Sequence, residues 1–212
     1  MALEEKIEFG TASQMITKDE DFTLPGKEML RVDLACGQTK KEGFVGIDNK
    51  QLDGVDVVHD LLQFPWPLKD DSVYEMNCEH FVEHIPIQLW DGSYGLSRFM
   101  EEVYRCLMPL GTIKIVAPHY MSMESYQDFT HCRAITDRTF MYFDQSITGK
   151  VGIDHYTGKC NFEQLTKTTT IGPEWNGKSD EARKFAMTYY WNVCKEISFV
   201  LRKKPLIVKE DK

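Results

Sequence analysis

The chain has 212 residues, with 25 Lys and Arg against 33 Asp and Glu, a formal charge of -8 and a pI near 5.3. Hydrophobic residues at 42% and aromatics at 12% exclude a disordered tail or a coiled coil. The length suits one domain, residues 1–212, and the acidic balance argues against a nucleic-acid partner without excluding a local basic patch.

Residues 1–28 are polar and irregular, and Leu24-Pro25-Gly26 reads as a turn that closes them. Met1 to Phe9 is acidic and lacks the apolar stretch of a signal peptide. Met29–Leu34 then reads as a buried strand ending in a small-residue turn, Ala35-Cys36-Gly37. Phe44–Asp48 and Val55–Val58 read as the second and third strands. Phe64-Pro65-Trp66-Pro67 is neither helix nor central strand, because its prolines remove donors and fix the backbone. Val73–Cys78 is a fourth strand. A helix fits Leu96–Leu107, with Leu96, Phe99, Met100, Val103 and Leu107 on one face and Glu101, Glu102 and Arg105 off it. Pro109-Leu110-Gly111 stops that helix, and Thr112–Ala117 is a fifth strand. Asn161–Ile171 and Asn192–Arg202 are further strands, with Gly172–Asp180 a loop between them.

Strands alternating with a helix predict an α/β fold with a mostly parallel sheet. Only Gln38–Gly43 separate the first turn from the second strand, whereas a parallel crossover needs about ten residues or more. The first crossover helix is therefore reduced to a turn, or the strand limits differ.

Ligands of open parallel sheets bind beyond the carboxyl ends of the strands. Those ends carry Asp33 to Gly37, Asp48-Asn49, Asp60-Leu61, Glu79-His80 and Pro118-His119-Tyr120. Small residues at 35–37 let backbone approach a ligand. A carboxylate ending the second strand can accept both hydroxyls of a ribose, and Asp60 can accept from an exocyclic amine. Each feature alone has a structural explanation as a turn or a cap. In this order they favour a nucleoside-bearing ligand.

The arrangement resembles the class I S-adenosylmethionine-dependent methyltransferases over about residues 29–120. The matching segments are Val32-Asp33-Leu34-Ala35-Cys36-Gly37, Gly46-Ile47-Asp48, Asp60-Leu61-Leu62, the block from Asp71 through Ile85, and Glu101 through Gly111. Ala35 and Leu110 stand where the family usually has glycine. The resemblance implies a Rossmann-like, doubly wound, mostly parallel seven-stranded sheet with an antiparallel last strand. It also implies S-adenosylmethionine as cofactor. Asp33, Ala35, Cys36 and Gly37 would lie at its methionine end, Asp48 and Asn49 at the ribose, and Asp60 and Leu61 at the adenine; Glu79 and His80 complete the cofactor set. Residues 121–190, rich in polar aromatics, would form the acceptor side, and a small-molecule acceptor is the expected partner.

Methyl transfer from a sulfonium depends chiefly on positioning, but an oxygen or nitrogen acceptor can need a base. His119, His131 and Asp128 are the candidates, with His84 behind them because it also suits a brace before Pro86. This reading assigns no metal ligand.

Two rivals remain. His80-Phe81-Val82-Glu83-His84 matches H-x-x-E-H, in which two histidines on one helical face hold zinc and the glutamate is the base of a hydrolase. Strand pattern up to His80 and Pro86 after it leave about one helical turn for such a site. The other rival is a non-catalytic adenosylmethionine-binding module with an aromatic binding surface. Trp66, Tyr120, Tyr126, Phe129, Tyr142, Tyr189, Tyr190 and Trp191 could line it, although most are expected in the core.

Cys36, Cys78, Cys106, Cys132, Cys160 and Cys194 form no CxxC pair, which disfavours a thiolate zinc site and suits reduced thiols in the cytoplasm. No apolar run has the roughly 18 residues of a membrane span.

Overall fold

A computed structural model describes residues 29–153 and 159–207. The turn expected at Leu24-Pro25-Gly26 lies outside the described residues. Seven strands form one sheet: β1 (Leu30–Leu34), β2 (Val45–Asp48), β3 (Val57–Val58), β4 (Val73–Glu79), β5 (Leu107–Pro118), β6 (Phe162–Ile171) and β7 (Cys194–Lys203). Their order is β3-β2-β1-β4-β5-β7-β6. Strands β1 to β5 are parallel, and β7 runs antiparallel to both β5 and β6, so β7 alone is reversed. This is the expected mostly parallel sheet with an antiparallel last strand. The order turns at β1 and β4, which makes their carboxyl ends the switch point where a crevice opens.

The central strands are apolar runs because both of their faces are covered. Val32, Leu34, Ile47, Val73, Met76, Ile113 and Ile115 are all buried. Helix α1 (Gly95–Cys106) buries Leu96, Phe99, Met100, Val103 and Cys106 along one face, as its spacing predicts. Glu102, expected off that face, is buried beside it. It accepts a hydrogen bond from the Trp66 backbone N–H at 2.6 Å, so the proline-rich stretch is pinned to the helix.

Pro109-Leu110-Gly111 does not separate helix from strand. The chain passes straight from α1 into β5, and the three residues sit in an irregular start of that strand, where the register against β4 shifts. Leu110 takes the left-handed conformation (φ +66°) with its side chain outward. At Gly111 a Cβ would meet the Met108, Tyr74 and Val73 carbonyl oxygens at 2.9–3.1 Å, so only glycine fits there.

The short first crossover is real. Residues 35–44 join β1 to β2 without a helix. Asp33 accepts from Lys41 N (2.8 Å), and Asp56 accepts from Gly46 N (2.7 Å) and Lys40 Nζ (2.7 Å). Side-chain carboxylates thus hold a loop that a helix would otherwise organise.

Among the described residues three α-helices follow β5: α2 (Glu124–Gln127), α3 (Gln145–Val151) and α4 (Asp180–Tyr189). Helix α4 begins at the end of the expected 172–180 loop and was not predicted. Only Ala186 of it is buried, so no apolar stripe announces it. Its signal is local: Ser179 caps it by accepting from Ala182 N at 3.2 Å, and Asp180 and Glu181 occupy the first turn.

Candidate functional site

The carboxyl ends of β1 and β4 meet in register, with Asp33 opposite Asn77. Asn77 Nδ2 donates to Asp33 Oδ1 at 2.8 Å, while Asn77 Oδ1 is buried without a partner. Asp48, at the end of β2, accepts from Gly37 N (2.9 Å) and Lys50 N (3.2 Å). The end of β2 and the small-residue turn are therefore joined directly. Ala35 and Gly37 both adopt φ +54°, and the space where a Gly37 Cβ would sit is open. Asp60 Oδ1 accepts from Leu62 N at 2.9 Å; beside it Leu61 is buried, and Asn49 is exposed.

These residues fit a nucleoside-bearing cofactor. A carboxylate accepts up to about four hydrogen bonds, so Asp33, Asp48 and Asp60 keep capacity beyond those they make. The unpartnered Asn77 oxygen at the switch point adds an acceptor that a ligand ammonium would satisfy. Cys36 is buried in the turn. Burial first, then Asp33 and Asp48, pushes its thiol up to about 11, so it is a packing group and not a thiolate. Glu79 is exposed and pairs with Lys114 at 3.1 Å.

A cleft of about 390 Å³ opens beyond β4 and β5. Its wall includes His80, Glu83, His84, Pro118, Asp128 and His131, and β7 adds Lys195 and Glu196. His80 has φ +53° and faces Glu196 (3.1 Å) and Glu83 (3.5 Å). Glu83 holds the His80 imidazole above its ordinary pKa, against the effect of burial. The 3.5 Å contact lacks hydrogen-bond geometry, and both Glu83 carboxylate oxygens are buried without a hydrogen bond.

His131 and Asp128 come together at this cleft, their Nε2 and Oδ2 3.9 Å apart. His84 joins them, its ring 4.7 Å from that of His131. Hydrogen bonds from Thr130 hold the Asp128 carboxyl below its ordinary value.

His119 is not among the cleft-lining residues. It is buried, and its Nδ1 accepts from Met121 N at 3.1 Å, so the neutral ring has its lone pair engaged. Burial lowers its pKa. The stability lent by the neutral ring is therefore complete above the unfolded value near 6.5 and falls as pH drops through the folded value. Proton-detected titration should show His119 neutral at pH 7, with a midpoint below that of a free histidine. A midpoint at or above about 6.5 contradicts this.

The H-x-x-E-H reading is not met in its helical form. Val82–His84 is a single 3-10 turn and His80 lies before it in left-handed backbone, so the two histidines share no helical face. His84 faces His131 instead. The aromatics also differ from expectation. Trp66 is core, but Tyr126, Phe129, Tyr142, Tyr189, Tyr190 and Trp191 are exposed. They lie on short helices and loops outside the sheet layers and pack partly on one another, as Tyr126 does on Trp191 at 5.6 Å.

Lys195, Glu196, Glu124 and Gln127 line the cleft although no motif marked them. The register that sets Glu196 opposite Pro118 is a long-range pairing. Its only sequence trace is the alternation of β7, which buries Ile197, Phe199 and Leu201.

Five of the six cysteines are buried, Cys132 is exposed, and all are free thiols. Among the described residues no helix is long and apolar enough to cross a membrane.

No protein-family model and no curated protein matches the sequence. Solved structures do match the fold. A SAM-dependent methyltransferase from Archaeoglobus fulgidus aligns at TM-score 0.51 and 16% identity, over 82% of this chain and 86% of that one. Geranyl diphosphate C-methyltransferase from Streptomyces coelicolor A3(2) aligns at TM-score 0.50 and 11% identity, over 84% of this chain and 73% of that one. The chain has the class I SAM-dependent methyltransferase fold.

Proposed function

We propose that this protein transfers a methyl group from S-adenosylmethionine to a small-molecule acceptor. The observation that carries the reading is the set of acceptors around the switch point. Asp33 and Asp48 stand at the carboxyl ends of β1 and β2, Asp60 follows β3, and on β4 the buried oxygen of Asn77, the residue paired with Asp33, has no partner. The methionine ammonium belongs near Asp33 and Asn77, the ribose at Asp48 and the adenine amine at Asp60. The turn at 35–37 lets backbone approach the ligand. The 29–120 segment is then the cofactor-binding core, and the region after Pro118 builds the acceptor side of a single domain.

The cofactor supplies a methyl group already activated on a sulfonium. The chain's contribution is to hold the acceptor atom in line with it and to exclude competing water. The cleft beyond β4 and β5 suits the acceptor by its position and its size. One solved neighbour methylates geranyl diphosphate, which agrees with a small acceptor. As a bond forms to an oxygen or nitrogen acceptor, His131 or Asp128 is placed to take its proton. A cytoplasmic location accords with the free thiols.

Calorimetry with S-adenosylmethionine and S-adenosylhomocysteine tests the cofactor assignment, and radiolabelled methyl transfer across acceptor classes tests the rest. Saturable binding of both nucleosides with transfer to one class is expected. No binding of either sinks the proposal. Binding with no transfer to any class favours the non-catalytic module.

A further inference from the structure

We propose that Glu83, His84 and His131 form a binding site for one divalent transition-metal ion of the zinc type. One ligand atom from each lies within 4.8 Å of the others. A tetrahedral shell with bonds of about 2.0–2.1 Å sets its ligands roughly 3.3 Å apart, so small side-chain movements close the site.

The groups that orient the two imidazoles are already in place. Thr130 donates its hydroxyl to Asp128 Oδ1 (2.7 Å), so its oxygen accepts from His84 Nδ1–H (2.9 Å). His131 Nδ1 donates to the Ser125 carbonyl oxygen at 3.1 Å. Each ring therefore spends its N–H on an oxygen acceptor and keeps the Nε2 lone pair. That is how metal-bound imidazoles are oriented, with the far nitrogen held by a carbonyl or a carboxylate-linked group.

Independent support comes from Glu83. It is 1% exposed, and neither carboxylate oxygen has a hydrogen bond. A buried carboxylate without partners is costly unless a cation meets it. His80 stands 3.5 Å away and leaves both Glu83 oxygens without a hydrogen bond. An ion on the side shared with His84 and His131 would meet that carboxylate.

Two imidazoles and a carboxylate are the donors of catalytic zinc and related ions, which keep positions open. All three residues line the cleft, so the open positions face the space where an oxygen ligand of the acceptor would complete the shell. An ion on His131 Nε2 also occupies the lone pair that a base would use, which leaves Asp128 as the proton acceptor at the cleft. The binding proposal does not depend on methyl transfer.

The test is titration of the untagged, metal-stripped full chain with zinc, read by calorimetry and by X-ray absorption of the adduct. The expected result is one ion per chain with two imidazole ligands. Glu83→Gln, His84→Gln and His131→Gln should each weaken binding by more than about 100-fold, and Thr130→Val by about 10-fold, because it removes the oxygen that holds the His84 N–H. His80→Gln should stay within about threefold, because His80 is outside the donor group. Absence of stoichiometric zinc binding overturns the site. So does an adduct without imidazole, or loss of binding in His80→Gln with retention in His131→Gln. Should a variant fail to fold by circular dichroism, the ligand count of the wild-type adduct decides alone. Nucleoside binding, measured separately, keeps failure of the metal site distinct from failure of the methyltransferase reading.

Discussion

Replacing Asp48 by alanine weakens binding of S-adenosylmethionine and S-adenosylhomocysteine by about 100-fold. The figure follows from two hydrogen bonds between a carboxylate and the ribose hydroxyls, each worth roughly 1.5 kcal/mol or more, at about 1.4 kcal/mol per tenfold. Asp48 also holds Gly37 N at 2.9 Å, so the alanine variant loosens the small-residue turn as well. Asp48→Asn separates the two effects. The amide oxygen can still accept from Gly37, but its charge is gone and one of its two acceptor atoms becomes a donor. It should retain the fold and still lose at least about tenfold in affinity. Calorimetry with both nucleosides measures this directly. Wild-type affinity in Asp48→Ala would remove Asp48 from the ribose site.

Those same residues show how far local pattern reaches. Strands β1, β2 and β4 were legible because a strand buried on both faces is a run of apolar residues ended by a turn. The apolar stripe of α1 was legible because the helix buries one face, and the short spacing at 38–43 made a reduced first crossover one of two readings. The start of β5 was not. Pro109-Leu110-Gly111 is a turn in any local reading, and only pairing with β4 converts it into an irregular strand. Helix α4 was missed because almost none of it packs against the core.

The cleft beyond β4 and β5 divides in the same way. His131 and Asp128 were visible as polar residues after β5. The meeting of His131 with His84, 47 positions away, depends on the 83–85 turn packing under the 128–133 loop. Cys132 N donates to Glu83 O at 2.7 Å, and Arg133 donates to the Ile85 and Pro86 carbonyl oxygens. No motif encodes those backbone contacts. The H-x-x-E-H pattern marks the turn that carries Glu83 and His84, but the fold sets His84 beside His131 and not beside His80. Glu83 and His84 share a donor group with a residue from another loop, while His80 turns to Glu196 on β7.

Removal of the Glu102 carboxylate should destabilise the protein by about 3 kcal/mol. Glu102 is 8% exposed and accepts from Trp66 N; its carboxylate also receives Arg105 through two nitrogens. Arg105 in turn donates to the Leu68 and Trp66 carbonyl oxygens and to Asp70. Together they tie α1 to the 64–70 crossover, which has no helix of its own. Truncating one partner of a buried ion pair costs about 3–5 kcal/mol. The low end applies because Arg105 is partly exposed and keeps Asp70. Each kcal/mol lowers Tm by about 2–4 °C in a chain of this size, so Glu102→Ala should melt about 6–12 °C lower. Glu102→Gln retains an acceptor for Trp66 N and loses the charge, so it should fall between the two. An unchanged Tm in Glu102→Ala would show that the crossover is held by Trp66 packing alone. The crossover feeds directly into β4, whose carboxyl end carries Asn77 and Glu79 and leads into His80, so thermal loss of nucleoside binding should track the lowered Tm in Glu102→Ala. At temperatures well below that transition the affinity should match wild type, because Glu102 lies at the opposite end of β4 from the carboxyl edge and acts on the site only by holding the strand in place.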